Sequence, residues 1–501
     1  MEAAATEKRI AWREVLIVTL VSAIWLLVVR AGPLSLPYFW DEADVYVAGA
    51  RWLADHDMNP TPGHFPDDWS RGHPPLLYIL GSIAFRLFGP SPVVGHTLIL
   101  PFAITGLVST YVIAYERTSR AIAVLCTLVL ATTPLYLTMA AFLLPEMPLT
   151  GITALALFFV HRRQFGWAAV MGVVLVWVKE TGIFTSGAIG AAIVFDHWRT
   201  GTLNTPVARR AIALSTLPLF ALIAFFVWQR VNAGYFVFPH HQGLFSERHF
   251  TLSNVLTAIP SMFLWNGRFA LVLVALCCAR IAYKRAPNVF SDPLFIASCL
   301  LALFNVIFFA QMFWLERYAL PASPGIILVC SLIVFHTTDR ASATRTAVAG
   351  FPIGKALRVM SYLPPITVGL FGLFFAPTDQ APELSFAYAD VLRSHQHAAR
   401  LIAAEFEEHG IPRDALIVTT WPLTVELKDP VLGFTNQAFS TKHPEYLRDE
   451  DRASIRAILV DDSSSHADAL RAQAQDEGFT PSGTLTIGRA PQIELYLRAT
   501  P

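Results

Sequence analysis

Charged residues are scarce in this sequence. Only 15% of the 501 residues are Asp, Glu, Lys or Arg, whereas 54% are hydrophobic and the mean hydropathy is +0.49. Because soluble domains carry about a quarter charged residues, this composition excludes a soluble globular chain and predicts an integral membrane protein. Lys plus Arg equals Asp plus Glu, at 37 each, so no net charge of one sign favours nucleic acid as a partner.

Cysteine is also rare and follows no pattern. The five cysteines all lie inside apolar runs without zinc-site spacing: Cys126, Cys277, Cys278, Cys299 and Cys330. A thiol in such a run behaves as a small hydrophobe, so we expect no disulfide framework and no metal. The run of His240-His241 with Glu247 and His249 also lacks a recognised metal spacing, and we interpret it as a hydrated loop.

Long apolar segments recur along the chain. Crossing a bilayer takes ~20 residues, and eleven segments approach or exceed that length: 14–31, 92–115, 121–143, 147–161, 166–178, 181–196, 211–230, 264–282, 292–314, 319–336 and 359–376. The fifth and sixth are short and are separated by Lys179 and Glu180, so a single bent or re-entrant element is an alternative to two spans. No small-residue cleavage site follows the first segment, so we expect it to be retained.

The basic residues predict the orientation in the membrane. Cytoplasmic loops are enriched in Lys and Arg. With the N-terminus inside, the inner loops collect 17 basic residues, and the outer loops before residue 378 collect nine. We therefore expect an integral protein of the bacterial inner membrane, with the N-terminus cytoplasmic and the C-terminus on the periplasmic side.

Two regions interrupt the membrane pattern. The first is the outer loop 32–91, in which Asp41 to Leu53 predicts a helix and Pro74 to Phe88 an interfacial helix too short to span. The second is the tail, 378–501, which holds 19 acidic and 11 basic residues. We thus predict a transmembrane domain at 1–377, with a catalytic outer loop 32–91, and a small soluble extracytoplasmic α/β domain at 378–501.

The tail shows alternating helix and strand signals. We expect helices at Ala387 to Glu408 and Ala467 to Gln475, β-rich runs at Ala415 to Thr420 and Ala457 to Val460, and one or two strands at Gly483 to Leu497. The run from Asp461 to His466 follows a strand and is interpreted as the approach to a helix N-terminus.

Ionisable residues recur at the outer membrane boundary, where they are costly and usually mark a site. They are Asp41-Glu42, Arg71 with His73, Glu146, Lys179-Glu180 and Glu316-Arg317-Tyr318. Because the same topology places all of them outside, we expect them to converge on one cavity.

Each residue also has a purely structural explanation. Asp41 with Asp44 resembles a capping box, and Glu146 between two prolines marks a tight turn. Lys179 suits the end of a helix, and Arg317 can be a snorkelling anchor paired with Glu316.

The order of the motifs carries a resemblance. They are Phe39-Trp40-Asp41-Glu42-Ala43-Asp44-Val45-Tyr46, Gly72-His73-Pro74-Pro75-Leu76, Leu144-Pro145-Glu146, Lys179-Glu180-Thr181-Gly182, and Arg317-Tyr318 with Pro321. Over residues 10 to 340 the chain resembles the polyprenyl-phosphate-sugar-dependent membrane glycosyltransferases of the C-type fold. These include protein O-mannosyltransferases, lipid A aminoarabinose transferases and rhizobial lipopolysaccharide-modifying enzymes. Glu146 stands where many relatives carry aspartate.

The resemblance implies an inverting transfer of a monosaccharide from a polyprenyl-phosphate donor to an acceptor hydroxyl of an envelope lipid, glycan or protein, with no cofactor or metal. It implies a general base in Asp41, supported by Glu42 and Glu146, and a donor phosphate bound by Lys179, Arg317 and His73. Acceptor-binding or orienting roles fall to Tyr46, Arg71, Glu180 and Tyr318.

Three other functions stay open at this point. A transporter or flippase of lipid-linked sugars is permitted by the glycine and proline breaks, although transporters usually place polar groups at the midplane and show paired halves. A catalytically silent scaffold is a second alternative. A transferase or ligase that uses an oligosaccharide diphospholipid is the nearest enzymatic one.

Overall fold

The computed structural model describes residues 9–239, 241–242, 251–264, 268–310, 315–338 and 388–498. The predicted span 359–376 and the residues His240, Glu247 and His249 lie outside these ranges. Internal contacts divide the chain into two units. The helical unit comprises Met1–Arg30, Asn59–Ile79 and Ile99–Ala376, and the sheet unit comprises Ala31–Met58, Leu80–Leu98 and Pro377–Pro501.

The first half of the chain is almost entirely helical. Its helices are α1 (Trp12–Arg30), α2 (Ala48–Asp55), α3 (Asp67–Ser70), α4 (Leu76–Phe88), α5 (Pro92–Arg117), α6 (Arg120–Thr132), α7 (Pro134–Met139), α8 (Glu146–His161), α9 (Phe165–Val178), α10 (Gly182–Arg199), α11 (Pro206–Ser215) and α12 (Leu217–Ala233). Further along are α13 (Leu252–Phe263), α14 (Arg268–Arg285), α15 (Pro287–Phe290), α16 (Pro293–Phe309), a 3₁₀ helix (Glu316–Ala322) and α17 (Ser323–Thr338).

Four helical stretches of the described residues are long and apolar enough to cross a membrane. They are Trp12–Arg30, Pro92–Arg117, Pro206–Ala233 and Glu316–Thr337. Shorter apolar helices accompany them, at Leu76–Phe88, Arg120–Thr132, Glu146–His161, Phe165–Val178 and Pro293–Phe309. The chain is therefore an integral membrane protein, and the total of eleven spans stays a prediction.

The Lys179-Glu180 break separates two helices that pack against each other. Helix α9 ends at Val178, Lys179 is extended (φ −160°, ψ 143°), and α10 begins at Gly182. A Cβ on Gly182 would clash with the backbone of Leu175, so only glycine permits this close approach. The break at Lys179 and Glu180 therefore separates two helices, and their assignment as two separate membrane spans stays a prediction.

The sheet unit contains a five-stranded mixed sheet in the order β2-β1-β3-β5-β4. The strands are β1 (Leu416–Val418), β2 (Ser440–Lys442), β3 (Ile455–Asp461), β4 (Phe479–Leu485) and β5 (Ile493–Arg498). Strands β2, β1 and β3 are parallel, whereas β5 is antiparallel to both β3 and β4. Two longer helices, α18 (Tyr388–Glu408) and α20 (Ala467–Asp476), and a short helix, α19 (Leu423–Glu426), complete the C-terminal fold.

Alternating strand residues build a core on each face of this sheet. Ile417 and Leu459 pack with Ile402 and Phe406 of α18, whereas Val418 packs with Leu470 of α20 on the other face. Since successive residues of a strand point to opposite faces, both faces are buried. The predicted helices and strands of the tail are confirmed, and β2 was missed because its three residues, Ser-Thr-Lys, lack a hydrophobic pattern.

Part of the predicted outer loop belongs to the sheet unit. The backbone N–H of Tyr38 donates to the carbonyl of Leu432 (3.0 Å), and the rings of Trp40 and Trp421 lie 5.7 Å apart. Arg51 also forms an ion pair with Asp429. Residues 31–58 therefore pack on the C-terminal fold, and the predicted domain boundary at 378 stays a prediction.

Candidate active site

The Asp41-Glu42 motif begins a helix of unusual geometry. Residues Glu42–Val47 form a π-helix that continues into α2, so the predicted helix is confirmed. Single π turns are rare and occur frequently at functional sites. Trp40, immediately before the motif, has φ +48°, a left-handed conformation that non-glycine residues adopt at a cost of about 1–3 kcal/mol. A strained turn thus presents Asp41, which is half-buried.

Glu42 is fully buried and fixes this turn. Its Oε2 accepts a hydrogen bond from the backbone N–H of Phe39 (3.0 Å), and its Oε1 lies 3.1 Å from Nε2 of His96. The Asp41 carboxylate precedes the described helix Glu42–Val47 but accepts no capping hydrogen bond from its backbone N–H groups. The capping explanation of Asp41 is therefore wrong, because its side chain makes no capping hydrogen bond to this helix.

Two further residues complete this part of the site, and sequence reasoning missed both. The Tyr38 hydroxyl donates to the carbonyl of Ser91 (2.6 Å), and its ring packs edge-on against His96 at 5.2 Å. Burial and the charge of Glu42 raise the pKa of Tyr38, so the phenol stays neutral and serves as a donor. A histidine within an apolar helix was the available signal, since polar residues there need a partner. Tyr46 is buried on the same π-helix.

The helical unit brings three of the predicted residues together around one carboxylate. Glu146, at the start of α8, is 2% exposed. Its Oε1 lies 3.3 Å from Nζ of Lys179 and 3.8 Å from Nε of Arg317. The Arg317 side chain is only 5% exposed, which contradicts a snorkelling anchor, because a snorkelling guanidinium reaches water.

Tyr318 lies beside both cations. Nζ of Lys179 is 5.1 Å from the centre of its ring, and Cζ of Arg317 is 5.7 Å away. Both distances fall within the reach of cation–π attraction, about 6 Å. The aromatic ring therefore helps to hold two like charges at one site.

His73 and Glu180 form a second pair in the helical unit. Nδ1 of His73 lies 3.0 Å from Oε2 of Glu180. Burial alone would raise the pKa of Glu180, but the charge and hydrogen bond of His73 outweigh it and lower that pKa to about 2. Arg71 is oriented differently, since its Nε donates to the carbonyl of Asp68 (2.7 Å) at the end of α3.

The predicted site residues fall into two groups. Asp41, Glu42 and Tyr46 belong to the sheet unit, whereas Glu146, Lys179, Arg317, Tyr318, His73 and Glu180 belong to the helical unit. Their convergence on one cavity stays a prediction. Within the described ranges, no three His, Cys, Asp or Glu side chains are grouped as metal ligands.

Arg268 is a buried cation that the sequence did not single out as a site residue. It is 2% exposed, and its Nη1 donates to Oγ of Ser323 (2.9 Å). Its position at the start of the apolar helix α14 was the available signal.

No family model and no curated protein sequence matches this chain, but solved structures do. The crystal structure of ArnT from Cupriavidus metallidurans bound to undecaprenyl phosphate shares 13% identity, with a TM-score of 0.55 over 97% of this chain and 98% of that one. The apo structure of ArnT also shares 13% identity, with a TM-score of 0.56 over 96% and 97%. Arabinofuranosyltransferase AftD from mycobacteria shares 14%, with a TM-score of 0.50 over 98% of this chain and 40% of that one.

These comparisons define the class of the fold. The chain is an integral membrane protein with the C-type fold of glycosyltransferases that use lipid-linked sugars. ArnT, to which it is similar over nearly the full length of both chains, is an aminoarabinose transferase. The resemblance inferred from the motif order is thus confirmed for the fold.

Proposed function

We propose that this protein transfers a monosaccharide from a polyprenyl-phosphate-linked donor to an acceptor hydroxyl. The observation that supports this most is the pair of cations on Glu146, with Lys179 at 3.3 Å and Arg317 at 3.8 Å. Lys179 and Arg317 place two cations beside one carboxylate at the ends of apolar helices. Cations held at such a position suit an anionic ligand such as a lipid phosphate.

The charge change during the reaction also fits these cations. When the bond between the sugar C1 and the phosphate oxygen breaks, the departing phosphate gains a negative charge. Lys179 and Arg317 would therefore bind the transition state more strongly than the donor, which is the condition for catalysis. The planar guanidinium of Arg317 offers a bidentate contact, and Lys179 offers a point charge.

Asp41 is our candidate general base. As the acceptor oxygen bonds to C1, its proton passes to the Asp41 carboxylate and the polyprenyl phosphate leaves with the electron pair of the broken bond. A single displacement of this kind inverts the configuration at C1. Glu42 is a positioning residue in this scheme, because its bonds to Phe39 and His96 hold the turn that carries Asp41.

The same proposal includes a lipid carrier, a membrane face and an acceptor for the reaction. ArnT has been solved with undecaprenyl phosphate, and a similar carrier would serve this chain. The excess of inner basic residues, 17 against nine, supports an active site on the periplasmic face of a bacterial inner membrane. The acceptor would be an envelope glycan, lipid or protein.

A transfer assay tests the proposal. Proteoliposomes would receive a panel of labelled polyprenyl-phosphate monosaccharides together with an envelope extract as acceptor. We expect transfer or slow hydrolysis from one donor, and a loss of about 10²–10⁴-fold in Asp41→Asn, as for removal of a general base. Asp55→Asn is the matched control, because Asp55 is exposed at the end of α2.

Two outcomes would contradict the proposal. One is equal transfer by wild type and Asp41→Asn. The other is an absence of turnover with every monosaccharide phosphate, combined with activity on an oligosaccharide diphospholipid, which would favour the alternative transferase.

A further inference from the structure

A cavity of about 470 Å³ opens within the sheet unit, between α18 and residues 433–437. Its volume lies within the ~300–1,000 Å³ of typical small-molecule sites. It lies apart from all of the residues to which we assign catalytic or donor-binding roles, since its lining contains none of them.

The lining is rich in groups that both donate and accept hydrogen bonds. The residues that line the cavity carry three amides, one hydroxyl and one guanidinium, from Gln396, Asn436, Gln437, Thr435 and Arg400. An amide side chain offers two donor hydrogens and an acceptor oxygen, which matches the dual character of sugar hydroxyls. The lining holds one cation and no carboxylate, so it suits a neutral or anionic ligand rather than a cationic one.

Small side chains shape the helical wall. Ala399 and Ala403 lie one helical turn apart on α18 and both line the cavity. Residues four apart share a helix face, so these two small side chains leave space beside α18. Ala399 is 2% exposed and belongs to the core, whereas Ala403 is half-buried and supplies the apolar side chain of this pair that a ligand can contact.

Internal hydrogen bonds hold the opposite wall in shape. Nε2 of Gln396 donates to the carbonyl of Gly433 (2.9 Å), which ties α18 to the loop. The Thr435 hydroxyl donates to the carbonyl of Gln437 (2.8 Å). Because this wall is already ordered, less conformational entropy is lost when a ligand binds.

The cavity wall is continuous with the segment that carries Asp41. Gly433 lines the cavity, and a Cβ placed on it would lie 3.2 Å from Cα of Pro37. The neighbouring Leu432 accepts the hydrogen bond from the Tyr38 backbone. A ligand held here would therefore lie beside the loop that contacts the segment leading into the π-helix.

We propose that this cavity binds a saccharide portion of the acceptor, neutral or anionic in charge. The proposal rests on the proposed function and deepens it, because it makes the acceptor a glycan or a glycan-bearing molecule. The cavity contributes binding and no chemistry.

A binding experiment on the full-length protein in nanodiscs, without any sugar donor, tests the cavity alone. The probes are fluorescently labelled maltotriose, chitotriose, trigalacturonate and the cationic glucosamine trimer. We expect a neutral or anionic probe to bind, the glucosamine trimer to bind at least tenfold more weakly, and Asn436→Ala and Gln437→Ala each to weaken binding tenfold or more. Ala403→Trp, which fills the cavity, should abolish binding.

The matched controls lie elsewhere on the same unit. Gln475 and Arg413 are exposed, and we expect Gln475→Ala and Arg413→Ala to bind as wild type does. The proposal is overturned if no probe binds, if the glucosamine trimer binds best, or if the cavity variants behave like the controls.

A transfer assay separates this proposal from the proposed function. With a glycan acceptor, Asn436→Ala and Gln437→Ala should raise the acceptor KM at least tenfold and leave kcat and the donor KM unchanged. Normal kinetics in both variants would overturn the cavity proposal while leaving the proposed function intact. Saccharide binding that requires Gln437, in a protein that turns over no donor, would instead support the cavity and contradict the proposed function.

Discussion

His96 bridges the backbone of Leu34 and the carboxylate of Glu42. Its Nδ1 lies 3.0 Å from the carbonyl oxygen of Leu34, and its Nε2 lies 3.1 Å from Oε1 of Glu42, with both side chains buried. A carbonyl oxygen only accepts hydrogen bonds, so Nδ1 carries a proton. This buried pair connects α5 with the turn before the π-helix.

Removal of either partner should destabilise the sheet unit. Glu42→Ala or His96→Ala removes the side-chain partner of the other buried group, which costs about 3–5 kcal/mol. The double variant should lose less than the sum of the single losses by roughly 1–3 kcal/mol. The measurement is the thermal unfolding of all four proteins in detergent, with the exposed His397→Ala as control. Strictly additive losses would show that the two residues act independently.

The cations on Glu146 should control the affinity for lipid phosphate. A hydrogen bond to a charged group contributes ~1.5–3 kcal/mol, so Lys179→Gln and Arg317→Gln should each weaken undecaprenyl phosphate binding by about 10–150-fold. Arg317→Lys should retain part of the affinity, because it keeps the charge and loses the planar donor geometry. The measurement is equilibrium binding of a fluorescent undecaprenyl phosphate in nanodiscs.

The control for this experiment is Arg230→Gln, because Arg230 is an exposed basic residue at the end of α12. It should bind the lipid as wild type does. Equal losses in Arg230→Gln and Lys179→Gln would indicate a general effect of positive charge rather than a phosphate site.

A buried ion cluster should make the stability of the sheet unit depend on pH. Nδ1 of His395 lies 2.6 Å from Oε2 of Glu426, and its Nε2 lies 3.4 Å from Oδ2 of Asp461. Burial alone would lower the pKa of His395, but these carboxylates raise it from 6.5 to about 10. Because the folded state binds this proton more tightly, the stabilisation is complete below pH 6.5 and is lost as the pH rises towards 10.

Hydrogen exchange of the full-length protein measures this effect locally. Peptides from α18 and β3 should exchange faster at pH 9.5 than at pH 6.5, after correction for the intrinsic rate. His395→Gln should be less stable at pH 6.5 and should lose most of that dependence, whereas His397→Gln should keep it. A wild-type protection that is constant across this range would contradict a charged His395.

Gly433 and Gly478 both have a left-handed backbone, but only Gly433 is closely packed, so alanine variants of the two distinguish the effect of backbone strain from that of packing. Gly433 (φ +91°) approaches Pro37 and Pro92, with a Cβ position 3.2 Å from each, whereas Gly478 (φ +73°) has nothing within 4 Å of its Cβ position. Alanine costs about 1–2 kcal/mol in this left-handed conformation at either site. Only Gly433→Ala should also speed hydrogen exchange in peptides spanning 37–47. If Gly478→Ala has the same effect on those peptides, then residues 31–58 do not depend on the contact at Gly433.

Hydropathy and residue order predicted much of this molecule, because those signals are local. The apolar runs gave most of the helices, and the polar interruption at Lys179-Glu180 marked the turn between α9 and α10. Alternation of strand and helix patterns in the tail predicted β1 and β3, and it predicted one or two strands where β4 and β5 lie. The order of the acidic and basic motifs predicted the fold class through its resemblance to known families.

Long-range contacts account for what the sequence did not predict. His96 is one polar residue in an apolar helix, and nothing nearby indicates that Glu42, 54 positions earlier, is its partner. The capping box was predicted from a local pattern, but the Asp41 side chain makes no capping hydrogen bond to the π-helix. The packing of residues 31–58 on the C-terminal fold depends on pairs such as Arg51 with Asp429, which are 378 positions apart.

The most direct test of the central claim follows the lipid and the sugar in the same reaction. Proteoliposomes would contain a polyprenyl-phosphate monosaccharide labelled on both the lipid and the sugar, with an envelope glycan fraction as acceptor. The account predicts one free polyprenyl phosphate for each sugar transferred, with inverted configuration at C1 and a release that is about 10²–10⁴-fold slower in Asp41→Asn. Movement of the intact donor between leaflets without cleavage would contradict it and identify a transporter.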